Sequence, residues 1–258
     1  MIAQTLQSMG IGFKAGSEDF RGDRPTLVMI HGAGSHSKVW QTQTRLLNGS
    51  LNTLALDLPG YGNSIGENEP DLDGYAEWLI KCLSSVFRAP LFLMGHSMGG
   101  AIVQKVALLE PDLMRGIILA GTGPRLKVAP MFLEGLEKNF EETVDTIIGF
   151  AYAPGADNLL IKEGAKLMKK AGSTVVHGGF SACSRFDVRN EVGKIKLPCL
   201  ILCGGEDKLT PPSLSKKLNE SIEGSRIEII PSAGHMMMIE RHKAFNDYVL
   251  DFVLNTFS

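Results

Sequence analysis

Short apolar runs recur along the chain and alternate with longer segments of helical periodicity. The apolar runs cover residues 26–30, 51–58, 91–94, 116–120, 199–203 and 226–230. Most of them end at a glycine or a proline. Continuous apolar runs, unlike alternating ones, are typical of strands buried on both faces of a parallel sheet. The pattern therefore predicts six buried, parallel strands.

The segments between these runs carry apolar residues at helical spacing. The clearest cover residues 71–87, 98–109, 213–222 and 244–257. Asp71 or Asp73 is suited to cap the first helix, and Pro111 ends the second. Strands that alternate with helices imply right-handed crossovers, with helices on both faces of the sheet. The predicted fold class is α/β, with a mostly parallel, doubly wound sheet.

The alternation is interrupted once, between the fourth and fifth predicted strands. Residues 125–190 show helical patterns at 131–140, 143–150 and 158–170 and no strand-like run. We interpret this segment as an all-helical insertion between two strands. The predicted organisation is a core of residues 1–124 and 191–258 with an insertion of residues 125–190.

The charge balance excludes some classes of partner. The chain has 26 Lys and Arg against 28 Asp and Glu, a formal net charge of −2. Proteins that bind nucleic acid or an anionic membrane usually carry a basic excess. We therefore predict a small-molecule substrate and no nucleic-acid or membrane partner, while the sequence leaves the oligomeric state open.

The cysteines and the N-terminus suggest a compartment. The first residues form no signal-peptide pattern, and no apolar run reaches the roughly 18 residues of a membrane span. Four cysteines are too few for a disulfide framework in a chain of 258 residues. Cys199 and Cys203 lie in a predicted strand, so we interpret them as small apolar residues and not as a redox or metal pair. These features predict a cytoplasmic protein.

The pattern G-x-S-x-G occurs twice, around Ser64 and around Ser97. A nucleophile elbow needs a strand before the serine and a helix after it. Residues 95–99 have both, whereas residues 62–66 follow a turn and run into Pro70, which prevents a helix from starting there. Ser97 is therefore the predicted nucleophile, and Ser64 is predicted to be a loop residue.

A serine nucleophile needs a base, and the base needs an orienting carboxylate. His235 lies in a loop between the last predicted strand and the C-terminal helix, at the edge of the sheet where Ser97 lies. Asp207 follows the preceding strand, with Glu206 as the neighbour that could be confused with it. The chain order Ser97, Asp207, His235 is the order expected of an α/β-hydrolase.

Two backbone N–H groups must stabilise the oxyanion that forms during acyl transfer. Met98 directly follows the nucleophile at a helix N-terminus, where the helix dipole favours negative charge. Ala33 lies in the turn after the first apolar run. We predict that these two residues form the oxyanion hole. His31 and His96 adjoin the same turns and are predicted to have packing or hydrogen-bonding roles. The other histidines, His36, His177 and His242, are interpreted as surface or cap residues.

Five segments in this order, at 31–34, 57–64, 95–100, 204–207 and 233–235, resemble the serine hydrolases of the α/β-hydrolase fold superfamily. Within that superfamily the chain is similar to small capped esterases, including the pimeloyl-carrier-protein methyl ester esterases and the carbon–carbon bond hydrolases. The resemblance covers residues from about 23 to 257. It implies a mostly parallel, eight-stranded sheet with a helical cap, here 125–190, over the active site. Because few residues precede the first apolar run, one of the first two strands is expected to be short or missing.

The predicted function is hydrolysis of carboxylic esters through an acyl-enzyme on Ser97. The same triad serves thioester or carbon–carbon hydrolysis, cofactor-free perhydrolysis and lyase reactions, and a non-catalytic small-molecule receptor is a further alternative. No metal- or nucleotide-binding motif occurs, so no cofactor and no metal are predicted. The pocket is expected to be apolar and to draw on a set of bulky side chains: Met131, Phe132, Leu136, Phe150, Leu167, Met168, Phe180, Met236, Met237 and Met238.

Overall fold

A computed structural model describes residues 2–257, and their centre is a single twisted sheet. Its seven strands are β1 (Phe13–Ala15), β2 (Thr26–Ile30), β3 (Asn52–Leu56), β4 (Leu91–His96), β5 (Met114–Ala120), β6 (Cys199–Gly204) and β7 (Arg226–Ile230). The strand order is β1-β3-β2-β4-β5-β6-β7. β1 pairs antiparallel with β3, and the other neighbours are parallel. The predicted α/β class and the positions of the six predicted strands are confirmed, but β7 is an edge strand of which only Ile230 is buried.

The eight-stranded sheet implied by the resemblance is wrong for the described residues. Helix α1 (Ile2–Ser8) occupies the start of the chain and buries Leu6 in the core. The segment before β2 then supplies a single three-residue strand, β1, which pairs with the end of β3. The expectation that one of the first two strands is short or missing is confirmed, since the described residues before β2 form one short strand.

Residues along each central strand alternate between two separate cores. On β2, Val28 and Ile30 pack into the core on one face, and Leu27 and Met29 pack into the core on the other. Because both faces are covered, most residues of the central strands are apolar, which explains the continuous runs in the sequence. The two cores therefore hold the central strands in place, and with them the strand ends at which the site lies.

Helices cover both faces of the sheet. Besides α1, they are α2 (Gln41–Leu47), α3 (Leu72–Val86), α4 (Met98–Leu109), α9 (Pro212–Ser221), the short α10 (Met237–Glu240) and α11 (His242–Phe257). Helices α1, α3, α4 and α9 contribute to one core, and α2, α10 and α11 contribute to the other. Asp71 caps α3 by accepting a hydrogen bond from the backbone N–H of Gly74 at 3.0 Å. The predicted choice between Asp71 and Asp73 therefore falls on Asp71.

Four consecutive helices separate β5 from β6. They are α5 (Pro130–Lys138), α6 (Phe140–Ala151), α7 (Asn158–Ala171) and α8 (Ser173–Arg185). Buried side chains such as Leu136, Ile147 and Val176 give them a small core of their own. An isolated β-bridge between Arg125 and Asp187 joins the two ends of this segment. The first three helices correspond to predicted patterns, whereas α8 was not predicted.

The four cysteines are free and buried. Cys199 and Cys203 lie on β6 with side chains in the core of the sheet, as the sequence predicts. Within residues 2–257, no helix has both the length and the apolar character that a membrane crossing requires.

Candidate active site

Ser97 lies in a tight turn between β4 and α4. Its φ is +54°, a left-handed conformation that a residue other than glycine rarely adopts. A Cβ at Gly95 would lie closer than 3 Å to the backbone of Gly99, and a Cβ at Gly99 equally close to the carbonyl oxygen of Ile30. The two glycines of the motif are therefore required by close backbone approach. This strained strand–turn–helix geometry is that of a nucleophile elbow.

Ser64, in the second copy of the motif, has a different environment. Its hydroxyl donates to the carbonyl oxygen of Asp57 at 2.6 Å and accepts from the backbone N–H of Gly12 at 2.9 Å. The carboxylate of Asp57 accepts from the N–H groups of Ser37 and Asn63. Ser64 is thus a structural residue of the loop after β3, as the sequence predicts.

Asp207 and His235 are in direct contact. His235 Nδ1 lies 2.8 Å from Asp207 Oδ2, and both side chains are buried. The other carboxylate oxygen, Oδ1, accepts from the backbone N–H groups of Leu209 and Thr210. Burial raises the pKa of Asp207, but the charge of His235 and the hydrogen bonds together lower it below its ordinary value. Glu206 is exposed, so the geometry favours Asp207 as the partner of the histidine.

Thr210 was not predicted and lies beside this pair. Its hydroxyl is 2.7 Å from Asp207 Oδ2 and 3.0 Å from His235 Nδ1. A threonine three residues after an aspartate is a common feature of turns in which the carboxylate accepts from the backbone. The sequence therefore holds a signal for this contact, but one that usually marks an ordinary turn.

The loop that carries His235 is hydrogen-bonded to the end of α6. The Glu240 carboxylate accepts from the N–H of Gly234 through one oxygen and from the N–H of Ala153 through the other, each at 2.9 Å. The N–H of Met236 donates to the carbonyl oxygen of Ala151 at 3.2 Å. These bonds join the histidine loop, α10 and the helical segment, and no sequence motif pointed to Glu240.

His31 and His96 are buried, neutral and hydrogen-bonded. His31 Nε2 accepts from the N–H of Leu58 at 3.0 Å, and its Nδ1 donates to the carbonyl oxygen of Gly32 at 2.9 Å. His96 Nε2 donates to the carbonyl oxygen of His235 at 2.9 Å. Burial lowers the pKa of His31 to about 4 and that of His96 to about 3. Both are therefore uncharged, and their hydrogen bonds correspond to the roles that the sequence predicts.

The other histidines lie away from this centre. His36 accepts from the N–H of Lys38 at the start of a 3₁₀ turn. His177 pairs with Glu137 at 3.2 Å between two helices of the insertion, and His242 is the exposed first residue of α11. Their surface and capping positions correspond to the predicted ones.

The predicted oxyanion donors flank Ser97. Ala33 is in the turn after β2, and Met98 is the first residue of α4. Within residues 2–257, the backbone N–H of each donates to no other group. A Cβ at Gly32, the residue before Ala33, would lie 3.1 Å from the Cβ of Ser97. The turn after β2 therefore runs directly against the serine.

A cavity of about 1020 Å³ lies between the sheet and the four helices of the insertion. Ser97, His235 and Ala33 all line it, as do residues of α6, α7 and α8. Asp207 is behind His235 and does not line the cavity. Within the described residues, Ser97 Oγ makes no hydrogen bond to the imidazole. Hydrogen bonds of this kind are often long in proteins without substrate and shorten in the complex.

About half of the predicted pocket residues line this cavity. They are Phe132, Leu167, Met168, Phe180 and Met236. The rest do not: Met131 and Phe150 are exposed, Leu136 is in the core of the insertion, and Met237 and Met238 pack beneath the sheet. The prediction was wrong for Met131, Leu136 and Phe150 because helical spacing does not reveal which face of a helix meets the cavity. It was wrong for Met237 and Met238 because closeness to His235 in the sequence does not decide which way a side chain points.

The charges around the cavity are mostly basic. Within residues 2–257, its charged lining consists of Lys38, Arg125, Lys127, Arg189, Lys208 and Lys217, with Glu163 as the one carboxylate. No group of three or more His, Cys, Asp and Glu side chains suited to a metal ion occurs in the same range. Arg125 and Arg189 share the carboxylate of Asp187. The remaining excess of basic side chains favours neutral or anionic molecules over cationic ones.

Comparison of the sequence with known protein families identifies one to which most of the chain matches. Residues 22–242 match the family described as serine aminopeptidase, S33. The chain belongs to this family. The match runs from just before β2 to the first residue of α11, and it includes Ser97, Asp207 and His235.

Relatives and solved structures of similar proteins extend the match over nearly the whole chain. A pimeloyl-acyl-carrier-protein methyl ester esterase from Pseudoalteromonas atlantica is 28% identical over 254 residues, covering 91% of this chain and 95% of that protein. A thermophilic esterase of known structure is 30% identical, with a TM-score of 0.83 and coverage of 95% of this chain and 98% of that one. The enol-lactonase from Burkholderia xenovorans has a TM-score of 0.87 at 20% identity, covering 95% and 96% of the two chains. At that identity the lactonase shows a shared fold.

Proposed function

We propose that this protein is a serine hydrolase of carboxylic esters with Ser97, His235 and Asp207 as its catalytic triad. The observation that carries the proposal is the buried hydrogen bond of 2.8 Å between Asp207 and His235, at a cavity that the strained Ser97 also lines. Esterase relatives and an esterase structure at 30% identity support the same reaction class.

In the first half of the reaction, Ser97 Oγ attacks the acyl carbon of the ester and its proton passes to His235 Nε2. The N–H groups of Ala33 and Met98 stabilise the negative oxygen of the tetrahedral intermediate. The carbon–oxygen bond of the ester then breaks, and His235 gives its proton to the leaving alcohol. Ser97 is left as the acyl-enzyme.

In the second half, water attacks the acyl-enzyme while His235 Nε2 takes one of its protons. The bond between the acyl carbon and Ser97 Oγ breaks, the proton returns to the serine, and the carboxylic acid leaves. Asp207 accepts the Nδ1–H bond throughout, which keeps the Nε2 lone pair toward the serine and stabilises the imidazolium.

The cavity suggests the class of ester. Its volume of about 1020 Å³ and side chains such as Phe132, Leu167 and Phe180 suit an apolar acyl or alcohol group of substantial size. The basic rim adds a preference for neutral or anionic esters.

We further propose that residues 125–190 act as a cap on a core of 1–124 and 191–258, since they form one wall of the cavity. All four cysteines are free thiols, which supports the proposal that the protein is located in a reducing compartment, the cytoplasm.

The test compares wild type with Ser97→Ala and Ser64→Ala, the matched change in the second motif. We expect Ser97→Ala to reduce the turnover of p-nitrophenyl butyrate by a factor on the order of 10⁶, as loss of a serine nucleophile does in subtilisin. Fluorophosphonate should label wild type and Ser64→Ala but not Ser97→Ala. Undiminished hydrolysis by Ser97→Ala would refute the mechanism. A panel of esters, thioesters and aminoacyl p-nitroanilides then separates ester hydrolysis from the peptidase activity in the family's name.

A further inference from the structure

Three polar groups form a closed triangle at the wall of the cavity, which His235 and Thr210 line and Asp207 does not. Asp207 Oδ2 lies 2.8 Å from His235 Nδ1 and 2.7 Å from Thr210 Oγ1, and the third side, from Thr210 Oγ1 to His235 Nδ1, is 3.0 Å. The residues are exposed by 4%, 5% and 5% for Asp207, Thr210 and His235. Contacts this short between buried groups require each hydrogen and each lone pair to have a defined place.

The two oxygens of the carboxylate have different partners. Oδ1 accepts from two backbone N–H groups, those of Leu209 and Thr210, at 2.9 and 2.8 Å. Oδ2 accepts from side chains, and within residues 2–257 its partners are His235 and the hydroxyl of Thr210. Backbone contacts therefore hold one end of the carboxylate, and the threonine hydroxyl holds the end that meets the histidine.

The hydrogen atoms of the triangle follow from the chemistry of its groups. An ionised carboxylate only accepts, so the single hydroxyl proton of Thr210 points to Oδ2. A lone pair of the hydroxyl then faces His235 Nδ1, which is favourable when Nδ1 carries a proton and repulsive when it does not. The threonine thus favours the tautomer with Nδ1–H and a free Nε2 lone pair. That tautomer is the one able to accept the proton of Ser97.

We propose that Thr210 is a positioning residue whose hydroxyl holds the Asp207 carboxylate against His235 and selects the reactive tautomer of the imidazole. This role rests on the hydrolase function proposed above. Thr210 acts through Asp207 and His235, and it transfers no proton to or from the substrate.

Thr210→Val keeps the shape of the side chain and removes the hydroxyl, and Thr210→Ser restores it. A hydrogen bond to a charged group makes a net contribution that corresponds to a rate factor of about 10 to 100. We expect Thr210→Val to lower kcat for p-nitrophenyl butyrate by that factor with KM changed less than about twofold, and Thr210→Ser to retain most of kcat. Thr53→Val is the matched control, because the buried Thr53 hydroxyl donates to the carbonyl oxygen of Thr44 away from the site.

A double-mutant cycle with Asp207→Asn tests whether the threonine acts through the aspartate. In the Asp207→Asn background, adding Thr210→Val should lower kcat by less than about twofold. An equal loss in both backgrounds would overturn the proposed route, and so would a Thr210→Val kcat within about twofold of the Thr53→Val control.

Proton NMR gives a readout that does not depend on catalysis. The Nδ1–H of His235, assigned by its absence in His235→Gln, should shift or vanish in Thr210→Val and persist in Thr210→Ser and Thr53→Val. If Ser97→Ala retains full activity, the hydrolase function fails, and this resonance alone decides the role of Thr210. An unchanged resonance in Thr210→Val overturns that role.

Discussion

Gly95→Ala should destabilise the protein strongly, whereas Gly149→Ala should stabilise it. A Cβ at Gly95 would lie closer than 3 Å to three backbone atoms of Gly99 and Gly100, in the first turn of α4. Backbone atoms move only when the whole elbow moves, so no side-chain rotation relieves the overlap. Gly149 is exposed near the end of α6, and nothing lies within 4 Å of the position of its Cβ.

The magnitudes follow from these two environments. Overpacking of a close-packed site costs about 1–3 kcal/mol and occasionally more, and a clash with backbone belongs at the upper end, about 3 kcal/mol. Alanine in place of an exposed helical glycine contributes about 0.5–1 kcal/mol. At roughly 2–4 °C per kcal/mol for a chain of this size, Gly95→Ala should lower Tm by about 6–12 °C. Gly149→Ala should raise it by about 1–4 °C.

Guanidinium unfolding provides the assay, followed by the fluorescence of the two tryptophans, of which Trp40 is fully buried. The free energy of unfolding of each variant is compared with that of wild type at one temperature. A Gly95→Ala value within about 1 kcal/mol of wild type would refute the argument that backbone contact demands glycine there. Loss of stability in Gly149→Ala would show that the positions of added Cβ atoms do not predict the outcome.

Acid and thiol reagents test the buried groups. Burial lowers the pKa of His31 to about 4 and of His96 to about 3, so between those values and about 6.5 the unfolded chain binds protons that the folded chain does not. Stability should therefore fall as the pH drops below about 6.5, by up to about 1.4 kcal/mol per pH unit for each histidine, and fall less in His31→Gln and His96→Gln. The measurement is guanidinium unfolding at pH 7 and pH 5, and identical pH dependence in all three proteins would contradict the assignment. Burial also raises the pKa of Cys82 and Cys183 to about 12 and raises that of Cys199 and Cys203. Ellman's reagent should accordingly find no thiol in the native protein and four in guanidinium, and rapid native labelling would contradict this.

The buried strands were predictable because burial on both faces leaves little freedom in their composition. β2 and β4 are continuous apolar runs, and each meets a core on either side. β1 was not predictable in this way, since its three residues are half-buried at a sheet edge. Helix α8 contains Gly178, Gly179 and three serines, which weaken both helical propensity and apolar periodicity.

The residues of the candidate site likewise fall into those that the sequence predicts and those that it does not. Ser97, Asp207 and His235 each follow a predicted strand, so their placement at one edge of the sheet follows from topology. Thr210 and Glu240 make hydrogen bonds whose direction depends on loop conformation. The spacing of Asp207 and Thr210 indicates only an ordinary turn, and no motif marks Glu240. The faces of α5 and α6 were likewise beyond prediction, because amphipathic helices of the insertion bury one side against each other and another against the cavity.

The Glu240 carboxylate has a consequence for how the cavity opens. By holding both Gly234 and Ala153, it fastens the end of α6 to the loop of the proposed base. A swing of all four helices as one rigid lid would pull that loop, and His235 with it, out of position. Helix α7 has no buried residue, yet its Leu167 and Met168 line the cavity. We therefore expect substrates to enter past a local displacement of α7, while α6 stays bound to the loop that carries His235.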